Sequence, residues 1–530
     1  MDPSRRLILN EDCNHFAYCR SADEMTPEGV DGLVDVYAQG TQVGNLVFNV
    51  NAMRSSVAGK VKQAFWDGFD PDAGNDQPFF AAAPEHAETI RKWVGNMLLL
   101  HQRGIDPYQR WIRRSRFHAA KGWISVRMND IHNVENPRHP MHDRLWTEHP
   151  EYWRTGWREY EWPADRQFDY EHEAVRAHHL AYIRECVERY DMDGLELDWL
   201  RQPWCFRPGH EQRGAELLTD FTAEVRRMLD RRAAQVKHPI RLAARIPSQP
   251  EVARRMGYDA VAWARRGLVD LVVPTPGFGN TDFDMPVELW KRLLEGTSAE
   301  LAPGLEILVS PFPFAGFRYL SLENVRAAAA TLLDRGADYI YLFNYMDRDP
   351  QGDSVTHFSE VLREAGALET IAGKARSHVL TYANVWTPGE APAFPLPYRC
   401  WRYGYRPTPE FRIPIGPAPR PDQPAWVRLG FEVADAPRDP AKVIVAHGRE
   451  FFVGQAAIGG EQARQIVVRV DGVECPFVEA LPPRQESLGP THGYRVPPGG
   501  LRRGDNVIEV SNFTQSPVSL VWVELAIGGA

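Results

Sequence analysis

Two carboxylate side chains stand two residues apart in the segment 190–201. The run Gly-Leu-Glu-Leu-Asp-Trp within it predicts a buried strand, and because side chains alternate along a strand, Glu196 and Asp198 share one face. Burying two carboxylates is costly unless they are hydrogen-bonded or paired with cations. We therefore interpret Asp198 as a catalytic residue and Glu196, which sits deeper, as a second candidate. The alternative is a salt-bridged layer with Arg127 or Arg245 from neighbouring strands.

Polar side chains also follow the other predicted strands, and among them Asp130 and Asp347 are further catalytic candidates. The rest are candidates for binding a polyhydroxylated ligand, because each hydroxyl needs a donor and an acceptor. Ordinary loop capping by Asn and Asp at strand ends is the alternative. The candidate binding residues are Glu11, Asp12, His15, Asn49, Asn51, Arg54, Arg127, Asn129, His132, Arg201, Arg245, Asn344 and Tyr345.

The first 370 residues alternate short apolar runs with helix-like periodicity. Eight strand-then-helix units predict a (β/α)8 TIM barrel over residues 1–370, in which the carboxyl ends of all strands meet at one mouth. A doubly wound open sheet is the rival, but it usually carries a Gly-rich phosphate turn, and the sequence has no GxGxxG or P-loop. The predicted strands are Leu7–Asn10, Asn45–Val50, Trp123–Met128, Gly194–Trp199, Ile240–Ile246, Val269–Val273, Leu305–Ser310 and Tyr339–Phe343.

The chain changes character after a junction at residues 371–405, which we leave without a structural assignment. Over residues 406–530 proline becomes dense and short alternating segments replace helical periodicity, which predicts a C-terminal all-β sandwich, jelly-roll-like in its last strands. Its predicted strands show no obvious row of aromatic rings. We therefore expect this domain to brace the barrel, with glycan binding as the alternative.

The motif Asp193-Gly194-x-x-x-Asp198 at the end of the fourth strand resembles glycoside hydrolases of the (β/α)8-barrel superfamily, including uncharacterised glycosyl-hydrolase-like families. It is also similar to the DGxDxDW portion of chitinase-type enzymes, where a catalytic Glu follows the Trp. Here that position is Leu200, so the proton donor of chitinase chemistry is missing. The resemblance implies a glycosidase that cleaves an oligo- or polysaccharide, and it does not indicate which sugar, linkage or anomer.

Glycoside hydrolysis requires two carboxyl groups that flank the bond, about 5–5.5 Å apart for retention or about 6.5–9.5 Å for inversion. Glu196 and Asp198 lie about 6.6 Å apart along one strand. Because both approach from the same side, we expect the partner of Asp198 to come from another strand. The candidates are Asp130, Asp347, Glu11 and Asp12; Glu306 starts the seventh predicted strand, which puts it at the wrong end of the barrel.

A long segment after the third strand is rich in aromatic rings. It is far longer than an ordinary βα loop, and rings of this kind stack on sugar faces. We predict that Trp153, together with Trp199 beside Asp198, binds substrate, while packing of a loop mini-core is the equal alternative. The aromatic residues of the loop are Trp146, Tyr152, Trp153, Trp157, Tyr160 and Trp162.

The same loop holds His132, His139, His142 and His149. Their spacing matches no zinc motif, so we predict no metal and no cofactor. Two alternatives to a glycosidase remain open: a catalytically inert carbohydrate-binding barrel, motivated by Leu200, and a metal-dependent hydrolase or lyase that uses these histidines.

Composition limits the partners. The 530 residues carry a net charge of −9, and the pI near 6.0 argues against nucleic acid. No apolar run is long enough for a membrane span, no secretory signal is visible, and the six cysteines form no CxxC pair. We expect a carbohydrate partner, possible homo-oligomers and a cytoplasmic location, although a trimmed secreted protein would begin in the same way. The 16 tryptophans indicate either an aromatic core or rings displayed to a ligand.

Overall fold

A computed structural model shows an α/β part followed by an antiparallel β part. It describes residues 5–159, 162–313, 315–348, 357–390, 393–434, 443–446, 449–452, 457–481 and 490–528, so Tyr160 of the aromatic loop lies outside the described residues. The strands of the α/β part, β1 to β11, are Leu7–Glu11, Val43–Asn49, Lys121–Arg127, Gly194–Asp198, Arg241–Pro247, Leu271–Thr275, Glu300–Leu301, Gly304–Glu306, Leu308–Val309, Arg318–Tyr319 and Ile340–Phe343.

Nine of these strands form one curled parallel sheet, in the order β7-β6-β5-β4-β3-β2-β1-β11-β8. Its two end strands, β7 and β8, are separated in the chain only by Ala302 and Pro303. The seventh strand of the predicted barrel is thus split: β7 pairs with β6, and β8 pairs with β11. Proline has no N–H to donate, so the pairing is interrupted there, and the curled sheet does not close into the continuous barrel that the sequence predicts.

The extent predicted for the seventh strand, Leu305–Ser310, is therefore wrong. The strand pairs earlier, from Glu300 to Glu306, and residues 308–309 leave the parallel sheet to form a short antiparallel pair with β10. The other seven predicted strands coincide with β1 to β6 and β11 to within a few residues.

Helices cover the outer face of the curled sheet, and their apolar sides form its main hydrophobic core together with alternate strand residues such as Leu195 and Leu197. Typical N-caps begin several of them; Thr26 and Asp106, for example, each accept a backbone hydrogen bond and precede a proline. Helices α1 to α13 are His15–Cys19, Pro27–Ala38, Ala87–Gln102, Pro107–Phe117, Arg144–Glu148, Glu173–Arg189, Glu211–Val236, Pro250–Arg255, Ala260–Arg265, Val287–Leu293, Leu322–Asp334, Phe358–Glu364 and Leu368–Ile371.

A second, smaller cluster fills the interior of the curled sheet, with Trp123 and Tyr341 among its members. Gly194, which begins β4, faces this interior. A Cβ at Gly194 would lie 2.2 Å from the Trp123 ring, so the indole occupies the space that any larger side chain would need. The interior is therefore packed at the start of β4, and the polar groups of β4 lie nearer to its carboxyl end.

The C-terminal part consists of antiparallel sheets, of which the two largest enclose one hydrophobic core. The larger contains β12-β23-β15-β21-β20 with β13 also on β23, and the smaller is β14-β22-β18-β19. The segment 371–405 contributes β12 and β13 to the larger sheet, and β12 also packs on α11, where the Asn324 amide donates to the Ser377 carbonyl at 2.8 Å. Strands β12 to β23 are Arg376–Val379, Tyr398–Cys400, Glu410–Pro414, Ala425–Val433, Val443–Ala446, Arg449–Phe452, Ile466–Val470, Val473–Cys475, Phe477–Leu481, Thr491–Val496, Asp505–Asn512 and Val518–Ile527, and one short helix, α14, spans Gly460–Ala463.

No helix in the described part of the chain has the length and apolar character that crossing a membrane requires.

Candidate active site

Asp198 is the last residue of β4 and lies at the carboxyl end of the sheet, with only 2% of its surface exposed. Its Oδ1 accepts a hydrogen bond from the Arg245 guanidinium at 2.7 Å and a second from the backbone N–H of Arg201 at 3.0 Å. Arg245 belongs to the adjacent strand β5 and also lies over the Phe343 ring, 3.7 Å from its centre. The salt bridge fixes the position of the Asp198 carboxyl group.

Glu196 lies one pleat deeper, inside the curled sheet. Its Oε1 accepts hydrogen bonds from the Ser125 hydroxyl on β3 at 2.8 Å and from the Tyr341 hydroxyl on β11 at 3.0 Å. Its Oε2 has no hydrogen-bond partner among the described residues. Burial, together with the nearby charge of Asp198, raises the pKa of Glu196 to about 7. The two carboxyls do share one face of β4, as the alternation predicts.

Glu306 is the carboxyl group that sequence reasoning put at the wrong end. It is the last residue of β8, opposite Phe343 of β11, and so lies at the same end of the sheet as Asp198. Its Oε1 accepts from the Asn344 amide at 2.7 Å, and its Oε2 accepts from the backbone N–H of Leu308 at 2.8 Å. Burial raises the pKa of Glu306 to about 7, against the opposing effect of the Asn344 hydrogen bond. This is the second candidate catalytic carboxyl of the mouth.

Arg127, at the end of β3, ties two further carboxylates together. Its guanidinium donates to Asp12 at 2.7 Å and to Asp130 at 2.9 Å, and the His132 ring lies 2.9 Å from Asp130. Burial alone would raise the pKa of Asp12, but the charges of Arg127 and Arg201 outweigh it and hold that pKa well below its usual range. Burial would likewise raise the pKa of Asp130, but the positive charges of His132 and Arg127 outweigh burial and hold that pKa well below its usual range. Both groups are held as anions, which makes them poor proton donors.

A separate network joins β1 to the segment after β11. Glu11 accepts hydrogen bonds from the His15 ring at 2.7 Å and from the Tyr37 hydroxyl at 2.6 Å. Asp347 accepts from Arg20 at 2.7 Å, with its other oxygen 3.6 Å from His15. Burial would lower the pKa of His15, but Glu11 outweighs it and holds that pKa well above its usual range. Glu11 and Asp347 are thus neutralised by fixed cations.

A cavity of about 490 Å³ opens at this mouth. Its polar lining includes Asp12, Arg201 and Asn344. Its apolar lining includes aromatic rings that were not among the binding residues predicted from the sequence. Asp198 and Glu306 do not line the cavity, but each is hydrogen-bonded to a residue that does. Asp198 accepts from the Arg201 backbone N–H, and Glu306 accepts from the Asn344 amide. Tyr18 and His15 also contribute rings to the lining, and its most exposed large rings are Phe278, Phe317 and Tyr319, which are 52%, 37% and 55% exposed.

Several predicted binding residues hold loops in place. The Asn51 amide bridges to the Arg127 backbone on β3. The Asn129 amide donates to and accepts from the Phe168 backbone, and it also donates to the Cys205 sulfur at 3.5 Å. The Arg54 guanidinium donates to three backbone carbonyls of the loops after β2 and β3. Their hydrogen bonds match the loop-capping alternative.

Two other predicted binding residues keep an unused polar atom. The Asn49 amide donates weakly to the Ser125 carbonyl at 3.3 Å, and its Oδ1 has no partner among the described residues. The Tyr345 hydroxyl is buried and also lacks a described partner. His132, whose side chain is 52% exposed, lies 3.4 Å from Arg201. None of these three residues lines the cavity at the mouth.

Some aromatic rings of the long loop after β3 are buried in its core, and others are exposed to solvent. Trp146 is fully buried, and the Trp153 indole donates to the Trp146 carbonyl and packs against its ring. Trp157 is 64% exposed. Trp199 is fully buried among Tyr170, Phe221 and Tyr258, so its ring cannot stack on a ligand; this corrects the binding role predicted for it.

The histidines of the same loop form no metal site among the described residues, where no group of three or more His, Cys, Asp or Glu side chains is placed to hold an ion. His139 and His142 pack their rings 5.7 Å apart. Burial and the neighbouring His142 lower the pKa of His139 to about 3, and burial also lowers the pKa of His142. Neutral rings packed in this way serve the loop core.

Comparison with protein-family models finds no match, and comparison with curated proteins finds none either. Among solved structures, the chain is similar to the alpha-L-fucosidase isoenzyme 2 from Paenibacillus thiaminolyticus, with 12% identity and a TM-score of 0.43 over 68% of this chain and 48% of that one. It is also similar to the PgaB (BpsB) glycoside hydrolase domain from Bordetella bronchiseptica (12%, TM-score 0.40, 69% and 99%). A third similar structure is the catalytic domain of psychrophilic chitinase B from Arthrobacter TAD20 (11%, TM-score 0.36, 68% and 94%). The chain spans about half the length of the fucosidase.

Proposed function

We propose that this chain is a glycoside hydrolase that cleaves a glycosidic bond in an oligo- or polysaccharide. The observation that carries the proposal is a pair of carboxyl groups that reach one mouth and lie in different surroundings. Asp198 is paired with the Arg245 guanidinium at 2.7 Å, while Glu306 accepts from the Asn344 amide and burial raises its pKa to about 7. Two carboxyls whose surroundings separate their protonation states are what acid-assisted cleavage of a glycoside requires.

The two groups reach the mouth from different strands, since β3, β2, β1 and β11 lie between β4 and β8 in the sheet order. This satisfies the requirement that the carboxyls approach the bond from separate positions. Both oxygens of Glu306 accept hydrogen bonds, so a proton on this group would not be the donor to Asn344 or Leu308. Glu306, one hydrogen bond behind the cavity lining, is the proposed proton donor to a leaving-group oxygen. Asp198, fixed by Arg245, would serve as the anion that stabilises positive charge at the sugar or attacks it.

The lining of the cavity supports a carbohydrate substrate. Phe278, Phe317 and Tyr319 offer ring surfaces for sugar C–H groups, and Arg201 and Asn344 offer N–H donors for hydroxyls. A mixture of exposed rings and polar groups around one cavity suits a molecule that has apolar faces and polar edges.

A catalytically inert carbohydrate-binding protein is the second candidate, and one observation favours it. Asp198 is 2% exposed and does not line the cavity, and Leu200 stands where chitinase-type enzymes carry their catalytic Glu. In that case the carboxyls would belong to a salt-bridged layer, and the cavity would bind a sugar without cleaving it.

Turnover separates the two candidates. The purified chain would be tested on a panel of aryl glycosides and oligosaccharides, and the anomer of the first product would be followed by NMR. Hydrolysis with a single product anomer is the result expected of the enzyme. Binding of a sugar in calorimetry without hydrolysis of any member of the panel would contradict the proposal and favour the inert protein.

A further inference from the structure

Five exposed aromatic side chains lie on two neighbouring segments of the C-terminal part of the chain. Four lie in the segment 398–405, and the fifth is Phe513, directly after β22. We call this set the aromatic platform: Tyr398, Trp401, Tyr403, Tyr405 and Phe513, which are 38%, 42%, 55%, 73% and 45% exposed. Exposed large rings in such a cluster mark an interaction surface more often than scattered single ones do.

Backbone contacts hold the platform in shape. Strand β13 pairs with β23, and the buried Asn512 donates its amide to the Cys400 carbonyl at 3.1 Å. The backbone N–H of Tyr403 donates to the Asn512 carbonyl at 2.6 Å, which brings the two segments together. As a result Tyr403 and Phe513 stack, with ring centres 4.7 Å apart and planes 28° apart. The rings of Tyr403 and Phe513 are thus positioned before any ligand arrives.

The chemistry of the platform fits a sugar chain better than an apolar protein partner. The residues 397–410 include no Leu, Ile, Val or Met, so the surface consists of rings without aliphatic side chains. The hydroxyls of Tyr403 and Tyr405 and the indole N–H of Trp401 make no hydrogen bond to a described residue. Flat rings with free polar ends match the C–H faces and the hydroxyls of a glycan.

Single-stranded nucleic acid also stacks on rings, and Arg399, Arg402 and Arg406 are interspersed among them. However, the Arg399 guanidinium lies over the Trp401 ring, 4.5 Å from its centre, and so covers one face of that indole. The chain as a whole carries a net charge of −9, which opposes a polyanion. The balance of charge therefore favours a neutral, polyhydroxylated chain.

We propose that the aromatic platform is a glycan-binding site on the C-terminal β part, separate from the mouth of the curled sheet. This site does not depend on the proposed hydrolase activity, and it gives the C-terminal part a binding role in addition to the bracing role expected from the sequence. Because the rings form a surface instead of a closed pocket, the ligand is a segment of a polysaccharide chain and not a single sugar.

Native affinity electrophoresis of the full chain tests the proposal. The gels would contain, in turn, soluble hydroxyethylcellulose, laminarin, xylan, glucomannan, pullulan and glycol chitin. At least one polysaccharide should retard the wild-type chain, and Trp401→Ala and Tyr403→Ala should each raise its Kd about tenfold or more. Phe117→Ala, which removes a ring that is 70% exposed at the end of α4, is the matched control and should bind as the wild type does.

Asp198→Asn separates the two sites, because it alters the mouth and leaves the platform intact. Retardation that persists in Asp198→Asn and is lost in Trp401→Ala supports the platform, whether or not the chain hydrolyses any glycoside. Retardation lost in Asp198→Asn but kept in Trp401→Ala would assign the binding to the mouth and overturn the proposal. Absence of retardation on every polysaccharide would also overturn it.

Two further measurements test the other occupants of the platform. Binding of a fluorescent oligothymidine that Tyr403→Ala abolishes would make the platform a nucleic-acid site. Concentration-dependent self-association in sedimentation that Trp401→Ala abolishes would make it an interface between two copies of the chain. Either result would overturn the proposal. Unchanged circular dichroism of each variant confirms that folding is intact.

Discussion

Burial of Glu306 should make the stability of the chain depend on pH, and Glu306→Gln should remove that dependence. In the unfolded chain the carboxyl has its ordinary pKa of 4.5, and burial raises it to about 7 in the folded chain. Below pH 4.5 the group is protonated in both states and has no effect. As the pH rises from 4.5 through about 7, the folded state holds a proton that the unfolded state has released, so stability falls.

The magnitude follows from the two pKa values. At about 1.4 kcal/mol for each pKa unit, the interval from 4.5 to about 7 corresponds to about 3 kcal/mol of stability lost above neutral pH. Glutamine at position 306 has nearly the same shape and does not ionise. We therefore expect the loss of stability between about pH 5 and about pH 9 to be smaller by about 3 kcal/mol in Glu306→Gln than in the wild type.

Urea unfolding at these two pH values, followed by tryptophan fluorescence, measures the effect. Comparing pH values within each protein cancels any change in hydrogen bonding to Asn344 or Leu308 that is the same at both. Glu88→Gln, at an exposed position in the first turn of α3, is the matched control and should follow the wild type. If Glu306→Gln loses as much stability with pH as the wild type, Glu306 does not retain its proton in the folded chain, and its role as proton donor is refuted.

Two further outcomes follow from the same charges. Arg245→Gln leaves the buried Asp198 without its cation and should destabilise the chain by about 3–5 kcal/mol, measured by urea unfolding. Most of this stability should be recovered in the double variant Arg245→Gln/Asp198→Asn. A double variant as unstable as Arg245→Gln alone would contradict the pairing of the two residues. If Glu306 is the proton donor, kcat/KM should fall as the pH rises through about 7, because the group loses its proton there; a rate that keeps rising above that pH would assign the proton to another residue.

The sequence was sufficient to predict the strands because each carries a strong local signal. Seven of the eight predicted strands match, and the alternation that puts Glu196 and Asp198 on one face is confirmed by their contacts with Ser125, Tyr341 and Arg245. These contacts come from neighbouring or facing strands of the curled sheet. A period of two along a buried strand is a property of the backbone, so it is readable without the fold.

The position of Glu306 was not predictable in the same way. The run Gly304-Leu305-Glu306 reads as the start of a strand, because a long apolar stretch follows it. In the structure the chain has already paired with β6 at Glu300, and Pro303 breaks that pairing, so Glu306 is the end of the strand. A proline inside the preceding segment was the available signal for a split strand.

The positions of the tryptophan side chains were also hard to predict from the sequence. Trp199 follows Asp198 directly, yet it points to the outer core, since the residue after an inward-facing one faces outward. Six tryptophans are among the largest fully buried side chains, so packing explains much of the excess that the composition shows. The exposed aromatic rings of the C-terminal part show the same thing, because the stacking of Tyr403 on Phe513 joins residues more than a hundred positions apart in the chain. Long-range contacts of this kind leave no local pattern.

We propose that Asp198 is a catalytic carboxyl group in glycoside hydrolysis, and the variant Asp198→Asn tests this proposal most directly. On the glycoside that the wild-type chain hydrolyses best, this variant should remain folded and lose kcat/KM by about 10³-fold or more, because the neutral amide supplies neither a charge nor a nucleophile. A folded Asp198→Asn variant that hydrolyses the same glycoside at the wild-type rate would contradict the account.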